Sequence, residues 1–317
     1  MSTSTKPDLN HQALVYSSDE TFLTAMMPFC LDGLEAEDAI LAVTTQNNIS
    51  ILHQTLGDAA RHVEFVDAAT FYRTPGRTLG AYYRYVDQHT TGGRHRQVRV
   101  IGEPVWHGRD ALETAEWTRY ESAINVAFAD CPAWIVCPYD TRTLPETIIT
   151  DARRTHPELV TGASTKTSPH YAAPDTGPSP WQSQLSPAPC NVEKAVTHFG
   201  ADLSAVRAFV TRAASTLGMS NSRTQRLVFA VNEIATNALQ HGCGAGQVSL
   251  WRAGHRIVCD ITNPRRAAGL DWYLGYLPPA PTDLEGQGLW VVRQLCDFME
   301  IDTSPHEVTL RLHLALT

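Results

Sequence analysis

Residues 162–189 constrain the fold more than any other stretch of this chain. Pro169, Pro174, Pro178, Pro180, Pro187 and Pro189 fall there among Ser, Thr, Gly and Ala, with no apolar period. Proline fixes φ and donates no backbone hydrogen bond, so such a run supports neither helix nor sheet interior. It predicts an extended, semi-rigid tether over 161–190, with Trp181 as its one aromatic exception. Two parts, 9–160 and 191–317, must then fold separately, and 317 residues suffice for two cores.

The first part alternates short β-rich runs with helical ones. Segments 13–16, 39–44, 63–66, 98–101 and 133–137 are strand candidates. Helical patterns lie near 20–34, 48–56, 79–88 and 113–128. Apolar strands spaced by helices imply an α/β domain with a mostly parallel sheet covered on both faces. No phosphate loop follows the first strand, where Ser17, Ser18, Asp19 and Glu20 stand instead. Polar residues fall where such sheets hold ligands, at the strand carboxyl ends. Glu103, Trp106, Glu121 and Asp140 are therefore expected to line one pocket.

Charge and cysteine usage narrow the class. A formal charge of −8 and no long Lys/Arg run argue against nonspecific nucleic-acid binding. The short basic cluster of Arg94, His95, Arg96 and Arg99 reads as a solvated loop. The seven cysteines (30, 131, 137, 190, 243, 259 and 296) are odd in number and form no Cys-x-x-Cys. They predict reduced thiols in a cytoplasmic protein, with neither a disulfide framework nor a zinc site. The polar N-terminus and the lack of a long apolar run predict no signal peptide and no membrane partner.

The first part resembles the MEDS (DcmR-type) sensory domain over roughly residues 9–158. The resemblance rests on His11 to Tyr16, Gly102 to Trp106, Trp117 to Glu121 and Cys137 to Asp140, occurring in that order. It implies a RecA/KaiC-like α/β fold in a signalling role, sensing an unknown small molecule.

In the second part, Leu227, Val231, Ile234, Ala235, Ala238 and Leu239 recur at helical spacing. Glu233 and Asn237, four apart, project from one face of that helix. A carboxamide oxygen suits Mg²⁺, and a neighbouring carboxylate can deprotonate a nucleophile. Downstream, Gly286 and Gly288 flank Gln287 and open another apolar helix, whose free amides favour phosphate. Helices near 203–217 and 227–241, with strands near 247–251, 256–262, 299–302 and 308–314, predict helices on one face of a mixed sheet. His241 reads as part of the helix end and not as a phosphoacceptor.

Residues 192–316 resemble the GHKL (Bergerat) ATPase fold, specifically the RsbW/SpoIIAB-like anti-sigma serine kinases. The resemblance implies Glu233 as catalytic base and Asn237 as both nucleotide contact and Mg²⁺ ligand. It further implies Gly286 and Gly288 as support for an ATP lid over 264–285, and Thr309 beside the adenine. ATP and Mg are the implied cofactors. The implied partners are a sigma factor and an anti-sigma antagonist protein, and a homodimer is compatible.

One position departs from the family pattern. Its adenine-reading Asp, in an Asp-x-Gly motif, aligns with Asn263, Pro264 and Arg265. Asn263 can still accept a proton from adenine, but a neutral acceptor costs about 1 kcal/mol, close to tenfold in binding. Arg265 places a side chain where backbone approach is needed. Asp260, three residues away on a strand, points to the other face. The expectation is a sensory domain controlling an ATP-binding serine/threonine kinase domain that acts by partner switching. The alternative is a catalytically degenerate partner-binding module with weak or no nucleotide binding. A sensor histidine kinase fits poorly, because His198 beside Phe199 and Gly200 lacks the helical His-Glu motif.

Overall fold

The computed structural model describes residues 8–162, 164–174, 185, 191–264, 271–279, 287–304 and 306–317. These fall into two compact units that divide between residues 179 and 180, except that 74–77 group with the second.

The first unit runs β1 (Asn10–Tyr16), α1 (Asp19–Glu35), β2 (Ala39–Thr44), α2 (Gln46–Leu56), β3 (Val63–Asp67), α3 (Ala68–Phe71) and α4 (Pro75–Thr90). It continues with β4 (Val98–Gly102), α5 (Ala111–Ala127), β5 (Ala133–Asp140), α6 (Glu146–Thr155), β6 (Glu158–Thr161) and β7 (Ser164–Thr167). The sheet order is β3-β2-β4-β5-β1-β6-β7. Every pairing is parallel except that of β7, which closes one edge antiparallel. Helices start where side chains replace missing partners: Ser18 with Thr21, and Asp110 with Glu113, form reciprocal capping boxes.

Strand alternation sends side chains to opposite faces. Leu14, Tyr16 and Val136 join Phe22, Met26 and Phe29 of α1 and Leu52 and Leu56 of α2 in one core. His11 and Cys137, out of phase with these, lie on the other face. The five expected strands and four expected helices of this part are all present. Strand β7 lies inside the stretch read as tether. Its four residues are polar and exposed, so only backbone pairing with β6 makes it a strand.

Arg99 is no loop residue. It sits buried in β4, donating to Asp38 Oδ2 at 2.8 Å and to the Phe29 carbonyl at 2.9 Å. Its guanidinium also lies 4.7 Å from the Trp134 ring centroid. A buried cation held by a carboxylate, a carbonyl and an aromatic face needs no solvent.

The second unit comprises β8 (Ala195–Phe199), α7 (Leu203–Thr216), α8 (Asn221–His241), β9 (Gly246–Ala253), β10 (Arg256–Pro264), α9 (Gln287–Leu295), β11 (Phe298–Thr303) and β12 (Glu307–Ala315). Its sheet order is β11-β12-β10-β9-β8. All four pairings are antiparallel, where the sequence suggested a mixed sheet. Val206 and Val210 of α7, Leu227, Val231 and Ile234 of α8, and Val292 of α9 share one core with Ile257, Cys259, Leu310 and Leu312 of the sheet. This is an α+β domain with a helical layer on one sheet face. His198 sits exposed on the edge strand β8, outside any helix.

Candidate functional site

Helix α8 turns Leu227, Ala230, Val231, Ile234, Ala235 and Ala238 into the core. Glu233 and Asn237 stand one turn apart beside that apolar stripe, each half-buried. The opening of α9 meets them. A Cβ built on Gly288 would lie 3.3 Å from Glu233 Oε2, 3.5 Å from Asn237 Nδ2 and 4.0 Å from Asn237 Oδ1. Glycine here leaves room between a carboxylate, a carboxamide and a helix N-terminus.

Asn263 is buried near the end of β10. It continues the phase of Ile257, Cys259 and Ile261, all core residues beneath the helices. A Cβ on Gly242, the residue capping α8, would stand 3.0 Å from Asn263 Nδ2. Asn263 therefore shares the helix-covered face with Glu233 and Asn237. Thr309 does not. Val308 and Leu310 on either side of it face the core, so Thr309 points away, and its hydroxyl pairs with that of Thr262 at 2.9 Å. Asp260 also faces away, as expected, and binds Arg311 through both oxygens at 2.7 and 2.8 Å. His241 is the last residue of α8. Gly286 and Arg265 lie outside the described residues, as do Trp181 and residues 265–270 and 280–285 of the expected lid.

Residues 271–279 of that lid are described, and a residue the sequence reading missed holds them. Arg293 of α9 is buried and donates to the carbonyls of Leu274 at 2.8 Å, Trp272 at 3.1 Å and Met299 at 3.0 Å. Its guanidinium lies 3.8 Å from the Tyr276 ring centroid. Gly275 adopts φ +78°, and a Cβ there would meet the Leu289 carbonyl at 2.7 Å. The segment is thus tied to α9 one residue beyond Gly288. An arginine in an apolar helix was the available signal.

The four candidates of the first unit lie on two sides of the sheet. Glu103 is buried on the α1/α2 side, accepting from Tyr16 Oη at 3.0 Å, Asn48 Nδ2 at 2.8 Å, the Thr45 amide at 3.2 Å and the Thr44 hydroxyl. Asp140 shares that side, in register with Tyr16, and its carboxylate takes the Arg142 guanidinium at 2.9 Å. Trp106 and Glu121 are on the opposite side. Trp106 lies 6.3 Å from Tyr139, whose ring is 5.7 Å from His156. The sheet itself separates the pairs, because Tyr139 and Asp140 are adjacent and so face opposite ways.

Around Glu121 lie His11, Cys137 and His156, all buried, their ligand-type atoms within 4.8 Å of one another. Burial pushes the His11 imidazole down to about 4, and neighbouring His156 adds to the shift. Burial also raises the Cys137 thiol, with the Glu121 charge acting in the same direction. Trp106, Trp117 and Tyr139 bury polar atoms without a hydrogen-bond partner on the same side.

Together these features define a two-domain protein whose second unit carries a helix-borne Glu/Asn pair against a glycine-opened helix. Residues 10–157 match the model of the MEthanogen/methylotroph, DcmR Sensory domain, MEDS. Residues 200–314 match that of the histidine kinase-like ATPase domain. The chain is therefore an N-terminal MEDS sensory domain fused to a C-terminal GHKL-type ATPase domain. No curated protein matches it. A crystal structure of the RsbU and RsbW domains of a Mycobacterium tuberculosis protein is similar at 19% identity, covering 38% of this chain and 32% of that one, with a TM-score of 0.29. The chain thus spans about a third of that structure's length. No described helix is long and apolar enough to cross a membrane.

Proposed function

We propose that the protein is a cytoplasmic signalling regulator in which the MEDS domain controls an ATP-binding, anti-sigma-type serine/threonine kinase domain. The observation that carries this reading is the convergence of Glu233, Asn237 and Gly288 at the start of α9. The finer folds follow the same reading: RecA/KaiC-like without a phosphate loop for the first domain, and a Bergerat sandwich for the second. The residues fit Mg-ATP. The space a Cβ would take at Gly288 opens between a Mg²⁺-type ligand and a carboxylate, at the N-terminal turn of α9.

Bound Mg-ATP would supply the transferable phosphoryl group. Asn237 offers its carboxamide oxygen to the ion. Glu233 takes the proton from the accepting Ser or Thr hydroxyl of an antagonist protein. Asn263 accepts the adenine amino proton from the helix-covered face. The chain's part is positioning and charge stabilisation. Partner switching would alternate that antagonist with a sigma factor, under a small-molecule signal at the MEDS domain, without nucleic acid or membrane. A homodimer is the working assembly.

Asn263 favours a second reading, a partner-binding module whose nucleotide pocket has degenerated, because its amide is a neutral adenine acceptor. A kinase assay with the cognate antagonist separates the two. Phosphate transfer abolished by Glu233→Ala supports the enzyme. No transfer by the wild-type chain supports the module.

A further inference from the structure

We propose that His11, Cys137, His156 and Glu121 form a binding site for one transition-metal ion of the Zn²⁺ class inside the MEDS domain. The four come from β1, β5, the residue after α6, and α5, so only the fold assembles them. His156 Nε2 and His11 Nε2 lie 3.4 and 3.7 Å from Glu121 Oε2, and Cys137 Sγ lies 3.5 Å from His11 Nε2. A tetrahedral ion with bonds of roughly 2.0–2.3 Å requires ligand atoms roughly 3.3–3.8 Å apart. These three separations fall in that range, and all four ligand atoms lie within 4.8 Å of one another.

Hydrogen bonding accounts for only part of the cluster, the 3.5 Å contact of Cys137 Sγ with His11 Nε2. Nitrogen-to-oxygen gaps of 3.4 and 3.7 Å exceed hydrogen-bond lengths. Both Glu121 carboxylate oxygens and His156 Nε2 are buried without a hydrogen-bond partner. An unsatisfied buried carboxylate is costly unless it is paired or coordinates a metal.

The surroundings orient the imidazoles as metal sites do. His156 Nδ1 is held by the Ala152 carbonyl at 2.8 Å and the Thr155 hydroxyl at 3.0 Å. His11 Nδ1 meets Asn125 Oδ1 at 3.0 Å, and Asn125 in turn donates to the Thr155 carbonyl at 2.8 Å. A proton on each Nδ1 leaves each Nε2 lone pair facing the cluster. Binding would displace the Cys137 thiol proton to solvent. A divalent ion with one thiolate, one carboxylate and two neutral imidazoles is then uncharged overall, which suits full burial. Mixed sulfur, nitrogen and oxygen ligation selects Zn²⁺ and its neighbours over Mg²⁺ or Ca²⁺.

Co²⁺ loading of the reduced, metal-stripped full-length chain tests the site. The expected result is one ion per chain, with a thiolate-to-cobalt charge-transfer band and strong four-coordinate d–d bands, both removed by Zn²⁺. Cys137→Ser should abolish the charge-transfer band while retaining the far-UV circular dichroism. If that variant does not fold, X-ray absorption of the zinc-loaded wild type decides. One sulfur beside nitrogen and oxygen ligands supports the site, and a shell without sulfur overturns it. Absence of a thiolate band in the wild type, or a band that survives Cys137→Ser, also overturns it.

Discussion

Gly288 of α9 faces Glu233 of α8 so closely that a methyl group added to the glycine would stand 3.3 Å from the carboxylate oxygen. That distance is tight but short of a clash, and alanine favours helix over glycine by up to about 1 kcal/mol. Gly288→Ala should therefore leave the thermal midpoint unchanged or higher. It should weaken Mg-ATP binding about tenfold, roughly 1.4 kcal/mol, by filling the approach to the helix amides. Calorimetric titration alongside a melting curve checks both. A variant that melts early and binds normally would place Gly288 in packing alone.

Asn263→Asp should act in opposite directions on binding and stability. Its side chain is buried on the helix-covered face, so a charge there costs stability in the nucleotide-free chain. With nucleotide present, a charged acceptor should strengthen binding by about 1 kcal/mol. Urea unfolding with and without Mg-ATP measures the pair of effects. Equal destabilisation in both conditions would remove Asn263 from the adenine end.

Arg293 holds three carbonyls and covers the Tyr276 ring. Arg293→Met should cost about 2–4 kcal/mol, since the buried acceptors lose charged donors. Arg293→Lys should rescue little, because an ammonium cannot reproduce the planar fork. Limited proteolysis should show new cleavage within 271–279 in both variants. Unchanged protection would mean that Gly275 and its neighbours are held by packing on Leu289.

Glu103→Gln should destabilise the first unit by about 2–4 kcal/mol. The change removes a charge and turns one acceptor into a donor facing Tyr16, Thr44 and Asn48. Chemical unfolding followed by tryptophan fluorescence reads this. A stability change under about 0.5 kcal/mol, the scale of a surface substitution, would mean that Glu103 is not the structural hub its contacts imply.

The sequence revealed what repeats with a period or travels in a short motif. The continuous apolar runs of β1 to β5 and the helical stripe of α8 are local, and so is the four-residue step from Glu233 to Asn237. Their meeting with Gly288 joins residues more than fifty positions apart, and only family resemblance anticipated it. The direction of Thr309 follows from strand phase, between core-facing Val308 and Leu310, which a motif position does not carry. The four sensory candidates divide similarly: Tyr139 and Asp140 are adjacent, so they and their neighbours face opposite sides of the sheet. Cysteine spacing tests only local motifs, so it gave no sign of the four-residue cluster around Glu121. His11, Glu121, Cys137 and His156 converge from four elements with no common spacing. Strand β7 left no side-chain signal, since polar exposed residues pair through backbone alone.

Mg-ATP titration of the full-length wild type and Asn237→Ala, followed calorimetrically, tests the central claim most directly. The account predicts saturable, magnesium-dependent binding by the wild type. Asn237→Ala should weaken it at least about tenfold and remove the magnesium dependence, the carboxamide oxygen being the ligand. Equal binding by both chains, or none by the wild type at millimolar Mg-ATP, would contradict a nucleotide site at Glu233, Asn237 and Gly288.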